Sequence, residues 1–318
     1  MKIVIQGAGA LGSIFAAHLV RAGADVTLLA RGTRAEQLRT EGITITGLLD
    51  ATTAVPVETD PSTIQSADLF ITTVKTYDTE AALAPLEKAN FSSVFSVQNG
   101  VLKNAQLEAI FGKAALLGSA ANVSGEVLTN GKVLFTQNRG LYIGEPGGEL
   151  SPRVQEITDL FQASGIETIA SDQINTVEWS KFIPWSAVMA LSVLTRMETW
   201  KFCSHPDSAE LAAQMVREAV AVARALNVTV DDKGPIPAAS VAAADIAKAT
   251  ELVQAVGAGF KERAPSHRMS TLQDLLHGKR LEVDETLGHL LTLGQRTGVA
   301  TPASRLAYEL VSAINDYQ

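Results

Sequence analysis

The sequence is poor in the residues that mark several other classes of protein. It has one cysteine, which excludes an intrachain disulfide and favours a reducing compartment, so we expect a cytoplasmic protein. Its five histidines include no pair at a metal-ligand spacing, and we expect no metal site. A net charge of −8 lacks the basic excess typical of nucleic-acid binding. No window reaches the roughly 18 apolar residues that span a bilayer, so we expect no membrane segment.

Two hydrophobic patterns divide the chain. Residues 1–170 alternate short β-rich runs with amphipathic helical runs, which is typical of a parallel sheet with crossover helices. In residues 171–318 nearly every run has helical spacing. The sequence therefore predicts an α/β fold in which an N-terminal Rossmann-type domain with a mostly parallel sheet precedes an all-helical C-terminal domain.

The element boundaries follow from these patterns and from turn residues. Strands are expected at residues 2–6, 25–30, 68–73, 93–97, 114–122 and, at a sheet edge, 166–170. Helices are expected at residues 10–22, 79–88, 151–163 and 208–226, and in the Ala-rich stretch 238–249. Asn130-Gly131 predicts a hairpin. A final helix begins at Thr301-Pro302, with Leu306, Leu310 and Ile314 expected to face inward.

A glycine motif of the form G-x-G-x-x-G follows the first predicted strand and opens the first predicted helix. Gly7 suits the tight turn, Gly9 lets a pyrophosphate approach the backbone, and Gly12 allows the helix to pack closely on the strand. Ala10 and Leu11 complete the loop, where the positive end of the helix dipole favours an anion. We expect this loop to bind a dinucleotide, although a glycine-rich structural turn is the alternative.

Arg31 follows the second predicted strand, at the position where an NAD-preferring site usually has an acidic residue. No carboxylate follows until Glu36. A guanidinium offers a fixed fork of donors and a permanent charge, which suit a 2′-phosphate, and Arg34 can add a second contact. We therefore expect NADP(H) as the cofactor. The alternative is that Arg31 is a solvated loop charge.

Several further short motifs follow one another along the chain. They are Lys75 and Asn99-Gly100 after two predicted strands, Glu178-Trp179-x-Lys181, Ser270-x-x-x-Asp274, Glu282 and Gly298-x-x-x-Pro302. Together with the glycine motif and Arg31, they resemble the ketopantoate reductase (2-dehydropantoate 2-reductase) family over nearly the whole chain. The resemblance implies an oxidoreductase of pantothenate biosynthesis that reduces a 2-oxo acid to a 2-hydroxy acid with NADPH.

The resemblance also implies roles for individual residues. Lys181 is the general acid that protonates the developing alkoxide, because hydride addition places negative charge on the carbonyl oxygen. Glu282 lies near Lys181 and the substrate and helps to position them, and Ser270 binds the substrate carboxylate. Asn99 and Lys75 hold the nicotinamide-side ribose and the substrate end of the site. Without the resemblance, Lys181 reads as a helix lysine whose stem lies along apolar surface while its amine reaches water.

The chain departs from the family pattern beyond Lys181. Where the family usually has asparagines one and two helical turns on, this chain has Trp185 and Met189, and Pro184 precedes them. We expect both replacements to line the substrate pocket, since a spacing of four residues puts them on the face of Lys181. One hypothesis is a substrate with a more apolar side chain than ketopantoate. The other is a helix kinked at Pro184 that still presents ketopantoate through other residues.

Two further functions stay open on the sequence. A non-catalytic NADP(H)-binding sensor needs the glycine loop and Arg31, but has no need for Lys181, Ser270 and Glu282 together. A dehydrogenase of similar plan that acts on a 3-hydroxy acid or an opine is the other. The expected partner is a small 2-oxo acid, and we also expect a homodimer formed through the helical domain.

Overall fold

A computed structural model describes residues 1–317. The chain divides into two compact units. The first unit comprises residues 1–98 and 103–174, and the second comprises residues 99–102 and the described chain from Asn175 onward. The sequence predicts a boundary at residue 170, whereas this division falls after Ile174 and assigns Asn99–Leu102 to the second unit. Within residues 1–317, no helix combines the length and the apolar character needed to cross a bilayer.

Among residues 1–317, all strands belong to the first unit, whereas helices occur in both units. The strands are β1 (Lys2–Gln6), β2 (Asp25–Leu29), β3 (Ile43–Gly47), β4 (Ala51–Thr53), β5 (Val57–Glu58), β6 (Ser66–Thr72), β7 (Asn90–Ser96), β8 (Gly118–Val127), β9 (Val133–Gly144) and β10 (Thr168–Ala170). The helices up to residue 195 are α1 (Ala10–Arg21), α2 (Gly32–Glu41), α3 (Thr79–Leu83), α4 (Leu102–Phe111), α5 (Pro152–Ala163) and α6 (Ile174–Thr195). The later helices are α7 (Thr199–Ser204), α8 (Pro206–Ala225), α9 (Ala238–Ala243), α10 (Ile246–Arg263), α11 (Ser270–Leu276), α12 (His289–Thr297) and α13 (Pro302–Asp316).

The first sheet is parallel throughout and has the order β5-β2-β1-β6-β7. Its central strand β1 pairs with β2 on one side and with β6 on the other. The carboxyl ends of these three strands therefore lie side by side at one edge, where ligands bind in sheets of this kind. The predicted Rossmann-type sheet is confirmed.

A second, mixed sheet was not predicted from the sequence. It has the order β10-β9-β3-β4, with β8 antiparallel to β9, and β10 at the edge as expected. The β8–β9 connection is the hairpin predicted at Asn130-Gly131, and it is closed by a hydrogen bond from the Leu128 amide to the Lys132 carbonyl (2.8 Å). The strands β4 and β5 are only three and two residues long, too short for a hydrophobic period to reveal them.

The N-termini of α5 and α13 are capped in different ways. Ser151 caps α5, because its hydroxyl accepts a hydrogen bond from the Val154 amide (3.3 Å) and Pro152 takes the first helical position. At α13, in contrast, the carboxylate of Glu218 on α8 accepts hydrogen bonds from the amides of Ala303 (2.8 Å) and Ser304 (2.9 Å). The cap of α13 is thus supplied by another helix and not by Thr301.

The predicted inward face of α13 was wrong for Leu306 and Leu310, whereas Ile314 packs against the core of the helical unit as expected. Leu306 is 54% exposed and Leu310 is 48% exposed, while Ala307 and Val311 are buried. The contact of Glu218 with the first turn of α13 ties this helix to α8. Ala307 and Val311 have the same four-residue spacing as Leu306 and Leu310, so the helical period alone does not choose between the two faces.

Candidate active site

The glycine loop between β1 and α1 has the geometry that its sequence predicts. Gly7 has a φ of +102°, a conformation that L side chains rarely adopt. A Cβ on Gly12 would overlap the Gly7 carbonyl oxygen and lie 2.6 Å from Thr73 Oγ1, so helix and strand approach as closely as glycine allows. A Cβ on Gly9, in contrast, would meet open space among the described residues. The space beside Gly9 therefore fits a pyrophosphate on the N-terminus of α1.

Arg34 supports this loop from within the first unit. Its Nε donates to the Ala8 carbonyl (3.2 Å), and its Nη atoms donate to the Gly131 carbonyl (2.6 Å) and to Ser13 Oγ (3.3 Å). Burial lowers the pKa of Arg34, and the charge of Glu41 opposes that shift. Because these donors are directed at protein acceptors, Arg34 holds the glycine loop in place and is a poor second contact for a phosphate.

Arg31 stands at the N-terminus of α2 with its side chain in solvent. The side chain is 85% exposed, and its Nη2 lies 3.1 Å from Oδ2 of Asp78. Asp78 closes a short 3₁₀ turn, Thr76–Asp78, that follows β6. The guanidinium at the end of β2 is therefore available to a ligand from solvent, but it already contacts a carboxylate.

Lys75 lies at the start of that 3₁₀ turn and is half-buried. The buried Gln98, which follows β7, holds the residues on both sides of this turn. Its Nε2 donates to the Val74 carbonyl (2.9 Å) and to Thr79 Oγ1 (2.7 Å). The hydroxyl of Ser96 donates to Oε1 of Gln98 (2.7 Å), so both ends of the amide are used. The sequence analysis assigned no role to Gln98; its position beside Asn99 at a strand end is the signal that points to it.

A second group that the sequence analysis missed is the buried Lys103 on α4. Its amine donates to the Ser96 carbonyl (2.9 Å) and to the Ser119 carbonyl. The hydroxyl of Ser119 also donates to the Ser96 carbonyl (2.7 Å). Lys103 therefore joins the carboxyl end of β7 to β8. In the sequence it reads as an ordinary surface lysine of a helix, and no pattern distinguishes it.

In the second unit, α6 carries Lys181 and runs without interruption through Pro184. Lys181 is half-buried. Because Pro184 has no amide hydrogen, the Ser180 carbonyl loses its usual helical donor. Gly234 packs at this point, where a Cβ would overlap the Ser180 carbonyl oxygen. Nearby, Ser180 Oγ accepts a hydrogen bond from the Asp231 amide (2.8 Å), so the loop before α9 is fixed beside the turn that bears Lys181.

Trp185 and Met189 follow Lys181 on α6, and both belong to the core of the helical unit. Trp185 keeps 8% of its surface exposed, whereas Met189 is fully buried. Complete burial favours a packing role for Met189. The replacement that keeps surface for a ligand is Trp185, and its lining role stays a prediction.

The remaining predicted site residues also lie in the second unit. Gly100, next to the half-buried Asn99, has a φ of +87°. A Cβ added at Gly100 would lie 3.3 Å from Thr286 Cγ2. Thr286 belongs to a π-helical turn, Asp284–Gly288, and its hydroxyl donates to the carbonyl of the buried Glu282. The structure thus brings the Asn99 turn close to the segment that carries Glu282. Ser270 opens α11 and is exposed.

The parallel sheet, the glycine loop and the helical unit with Lys181 define a nicotinamide-dependent oxidoreductase with two units. The sequence model of the family described as "Ketopantoate reductase PanE/ApbA" matches residues 3–148, and its C-terminal counterpart matches residues 173–315. These matches cover most of both units. The chain belongs to the ketopantoate reductase family.

Relatives and solved structures agree with that assignment. A 2-dehydropantoate 2-reductase of Archaeoglobus fulgidus is 27% identical over 98% of this chain and 97% of its own length. A PanE/ApbA family ketopantoate reductase from Ralstonia eutropha is 28% identical, with a TM-score of 0.83 over 100% of this chain and 99% of its own. D-mandelate dehydrogenase with NADH and anilino(oxo)acetate shares the fold, with a TM-score of 0.84 at 20% identity over 100% of this chain and 99% of its own.

The family assignment confirms the main functional prediction from the sequence. The chain is an oxidoreductase that acts on CH–OH groups, uses a nicotinamide cofactor and takes a small molecule as substrate.

Proposed function

We propose that the chain reduces a 2-oxo acid to a 2-hydroxy acid with NADPH, as a 2-dehydropantoate 2-reductase or a close relative of one. The observation that carries this proposal is the match of the family over both units, with Lys181, Ser270 and Glu282 all present. A sensor that only binds the nucleotide has no need for these three residues. The open space beside Gly9 and the exposed guanidinium of Arg31 support binding of the cofactor.

The proposed mechanism assigns a proton donor and several groups that orient the substrate. When bound, the cofactor supplies the hydride to the carbonyl carbon of the substrate. Lys181 donates a proton to the carbonyl oxygen as that oxygen gains negative charge. Glu282 orients Lys181 and the substrate, and Ser270 donates a hydrogen bond to the substrate carboxylate. Lys75 and Asn99 hold the ribose next to the nicotinamide and the substrate end of the site.

Trp185 bears on which substrate side chain the site accepts. Its indole offers a single donor and a large apolar surface, where the family usually has an asparagine. This favours a 2-oxo acid whose side chain is more apolar than that of ketopantoate, and the exposed part of Trp185 supports it. A ketopantoate reductase that tolerates Trp185 and presents ketopantoate through other residues is the alternative.

The experiment compares ketopantoate with an aryl 2-oxo acid, benzoylformate, by following NADPH absorbance. The Trp185→Asn variant introduces the family residue, and Met189→Leu is a matched control for a volume-conserving change in the core. A higher kcat/KM for benzoylformate in the wild type, reversed in Trp185→Asn, supports the apolar substrate. A clear preference of the wild type for ketopantoate removes that hypothesis and leaves the reductase proposal intact.

We also propose a homodimer in the cytoplasm. Leu306 and Leu310 lie exposed on α13 of the helical unit, and two neighbouring apolar side chains of this size favour burial against a partner. A solved structure of the same fold, from Staphylococcus aureus, is described as a dimeric ketopantoate reductase. Light scattering should give twice the chain mass of 33.6 kDa for the wild type and the single mass for a Leu306→Glu/Leu310→Glu variant. A monomeric wild type would contradict the dimer.

A further inference from the structure

The ion pair between Arg31 and Asp78 connects the two strands that flank β1. Arg31 follows β2, Asp78 closes the turn after β6, and β1 pairs with both strands. Their contact of 3.1 Å therefore crosses the edge of the sheet at which β1 leads into the glycine loop. A nucleotide held by that loop lies at the same edge.

The exposure of the pair shows that folding does not depend on it. The Arg31 side chain is 85% exposed and that of Asp78 is 38% exposed, and exposed pairs of this kind contribute little to stability. The contact joins one guanidinium nitrogen to one carboxylate oxygen, which is less than the bidentate geometry that arginine can form. A ligand with a stronger acceptor can therefore compete for Arg31 at small structural cost.

We propose that Asp78 is a specificity-determining residue for the cofactor and lowers the preference of the chain for NADP(H) over NAD(H). This inference rests on the proposed function, because it requires a nicotinamide nucleotide at the glycine loop. A 2′-phosphate that reaches Arg31 meets the carboxylate of Asp78 as a competitor for the guanidinium and as a like charge. A ribose 2′-hydroxyl, in contrast, can donate a hydrogen bond to that carboxylate.

The opposite effect, in which Asp78 helps phosphate binding by restraining Arg31, is the weaker one. An exposed ion pair restrains its arginine only slightly. The phosphate monoester carries close to two negative charges at neutral pH, so its repulsion from Asp78 is larger than that of a single charge. Repulsion between Asp78 and the 2′-phosphate is therefore the larger effect, and removal of the Asp78 charge should favour NADP(H).

The test measures direct binding of NADP⁺ and NAD⁺ by calorimetry, so it does not depend on turnover. Asp78→Asn should tighten NADP⁺ binding by roughly three- to tenfold and leave NAD⁺ binding unchanged or weaker. Arg31→Ala should weaken NADP⁺ binding by at least about tenfold. The matched control is Glu80→Gln, which removes an exposed carboxylate two residues further on and should change the NADP⁺ to NAD⁺ ratio less than about twofold. Thermal melting checks that each variant folds.

Three results would overturn the inference. Weaker or unchanged NADP⁺ binding in Asp78→Asn assigns the residue a restraining role or none. An equal shift in Glu80→Gln shows a general effect of charge and not a contact with Arg31. A folded wild type that binds neither nucleotide removes the proposed function as well, whereas binding of both nucleotides with no response to Asp78→Asn removes only the inference.

Discussion

Gly12 on α1 lies directly against the carbonyl of Gly7 at the end of β1, with no room for a side chain between them. Thr73 Oγ1 also lies close to Gly12, at 2.6 Å from the position that a Cβ of residue 12 would occupy. This contact sets how closely the helix N-terminus approaches the sheet. It therefore fixes the backbone on which a pyrophosphate would rest.

The two glycines of this loop should separate folding from nucleotide binding. Gly12→Ala forces a methyl group against backbone atoms, and we expect the free energy of unfolding to fall by at least about 2 kcal/mol. Gly9→Ala points into open space, so stability should change by less than about 0.5 kcal/mol. The same methyl group at residue 9 occupies the space for the pyrophosphate and should weaken NADP⁺ binding by about tenfold or more, equivalent to about 1.4 kcal/mol.

Urea unfolding and calorimetry measure these two effects. Gly12→Ala should act mainly on the free energy of unfolding, and Gly9→Ala mainly on NADP⁺ affinity. If Gly9→Ala destabilises the fold while it leaves NADP⁺ affinity unchanged, the open space beside Gly9 is not the cofactor site.

We expect Gln98 to act as a positioning residue for Lys75 and the Thr76–Asp78 turn that follows it. In Gln98→Ala the Val74 carbonyl and Thr79 Oγ1 lose their donor, so the free energy of unfolding should fall by about 1–3 kcal/mol. Gln98→Glu should fare no better, since a carboxylate cannot donate to the carbonyl. The exposed Gln155, which bonds Asp159 (2.8 Å), provides the control Gln155→Ala, expected within about 0.5 kcal/mol of the wild type.

A positioning role also predicts a change in ligand binding. The dissociation constant for NADPH should rise in Gln98→Ala and stay constant in Gln155→Ala. A loss of stability with unaltered NADPH binding would show that Gln98 supports the fold alone.

The buried His18 makes stability depend on pH. Burial lowers its pKa below 6.5, partly opposed by a hydrogen bond with the Ser164 carbonyl, from which Nδ1 lies 2.8 Å. As the pH falls, the unfolded chain takes up the proton before the folded one does. The contribution of His18 to stability is therefore complete above about pH 7 and decreases as the pH falls from there through the lowered pKa, by at most about 1.4 kcal/mol per pH unit.

Chemical unfolding between pH 8 and pH 5.5 measures this effect. His18→Gln removes the titration, so its stability should decrease less steeply over that range than that of the wild type. His267 and His289 also have pKa values lowered by burial, so part of the slope should remain in the variant. Identical slopes for wild type and variant would contradict the role of His18.

The sequence predicted those parts of the fold that local patterns encode. The glycine motif, the strand before it and the helix after it were correct because the three glycines and the flanking apolar runs lie within one short segment. The second sheet was missed, since β3 joins it by pairing with β9, far along the chain, and its other partner β4 has only three residues. Leu306 and Leu310 of α13 were placed wrongly because both faces of that helix have helical spacing, and its contact with Glu218 of α8 has no signal in the sequence.

The site was predicted mainly through the resemblance, and its supporting contacts were not predicted at all. A half-buried Lys181 in a helix looks like any other lysine in the sequence. The buried amine of Lys103 and the contact of Asp78 with Arg31 depend on strand order, which the sequence alone leaves open. Residues that position others are therefore the ones that required the three-dimensional structure.

The most direct test of the account is the kinetics of Lys181→Ala with NADPH and whichever of ketopantoate and benzoylformate the wild type prefers. We expect kcat to fall by at least about a hundredfold, because proton donation to the carbonyl oxygen is lost. The dissociation constant of NADPH should stay within about threefold of the wild type. Lys201→Ala, which removes an exposed lysine of the same unit, should retain full activity. A Lys181→Ala enzyme that keeps more than about a tenth of the wild-type kcat would contradict the assignment of Lys181 as the general acid.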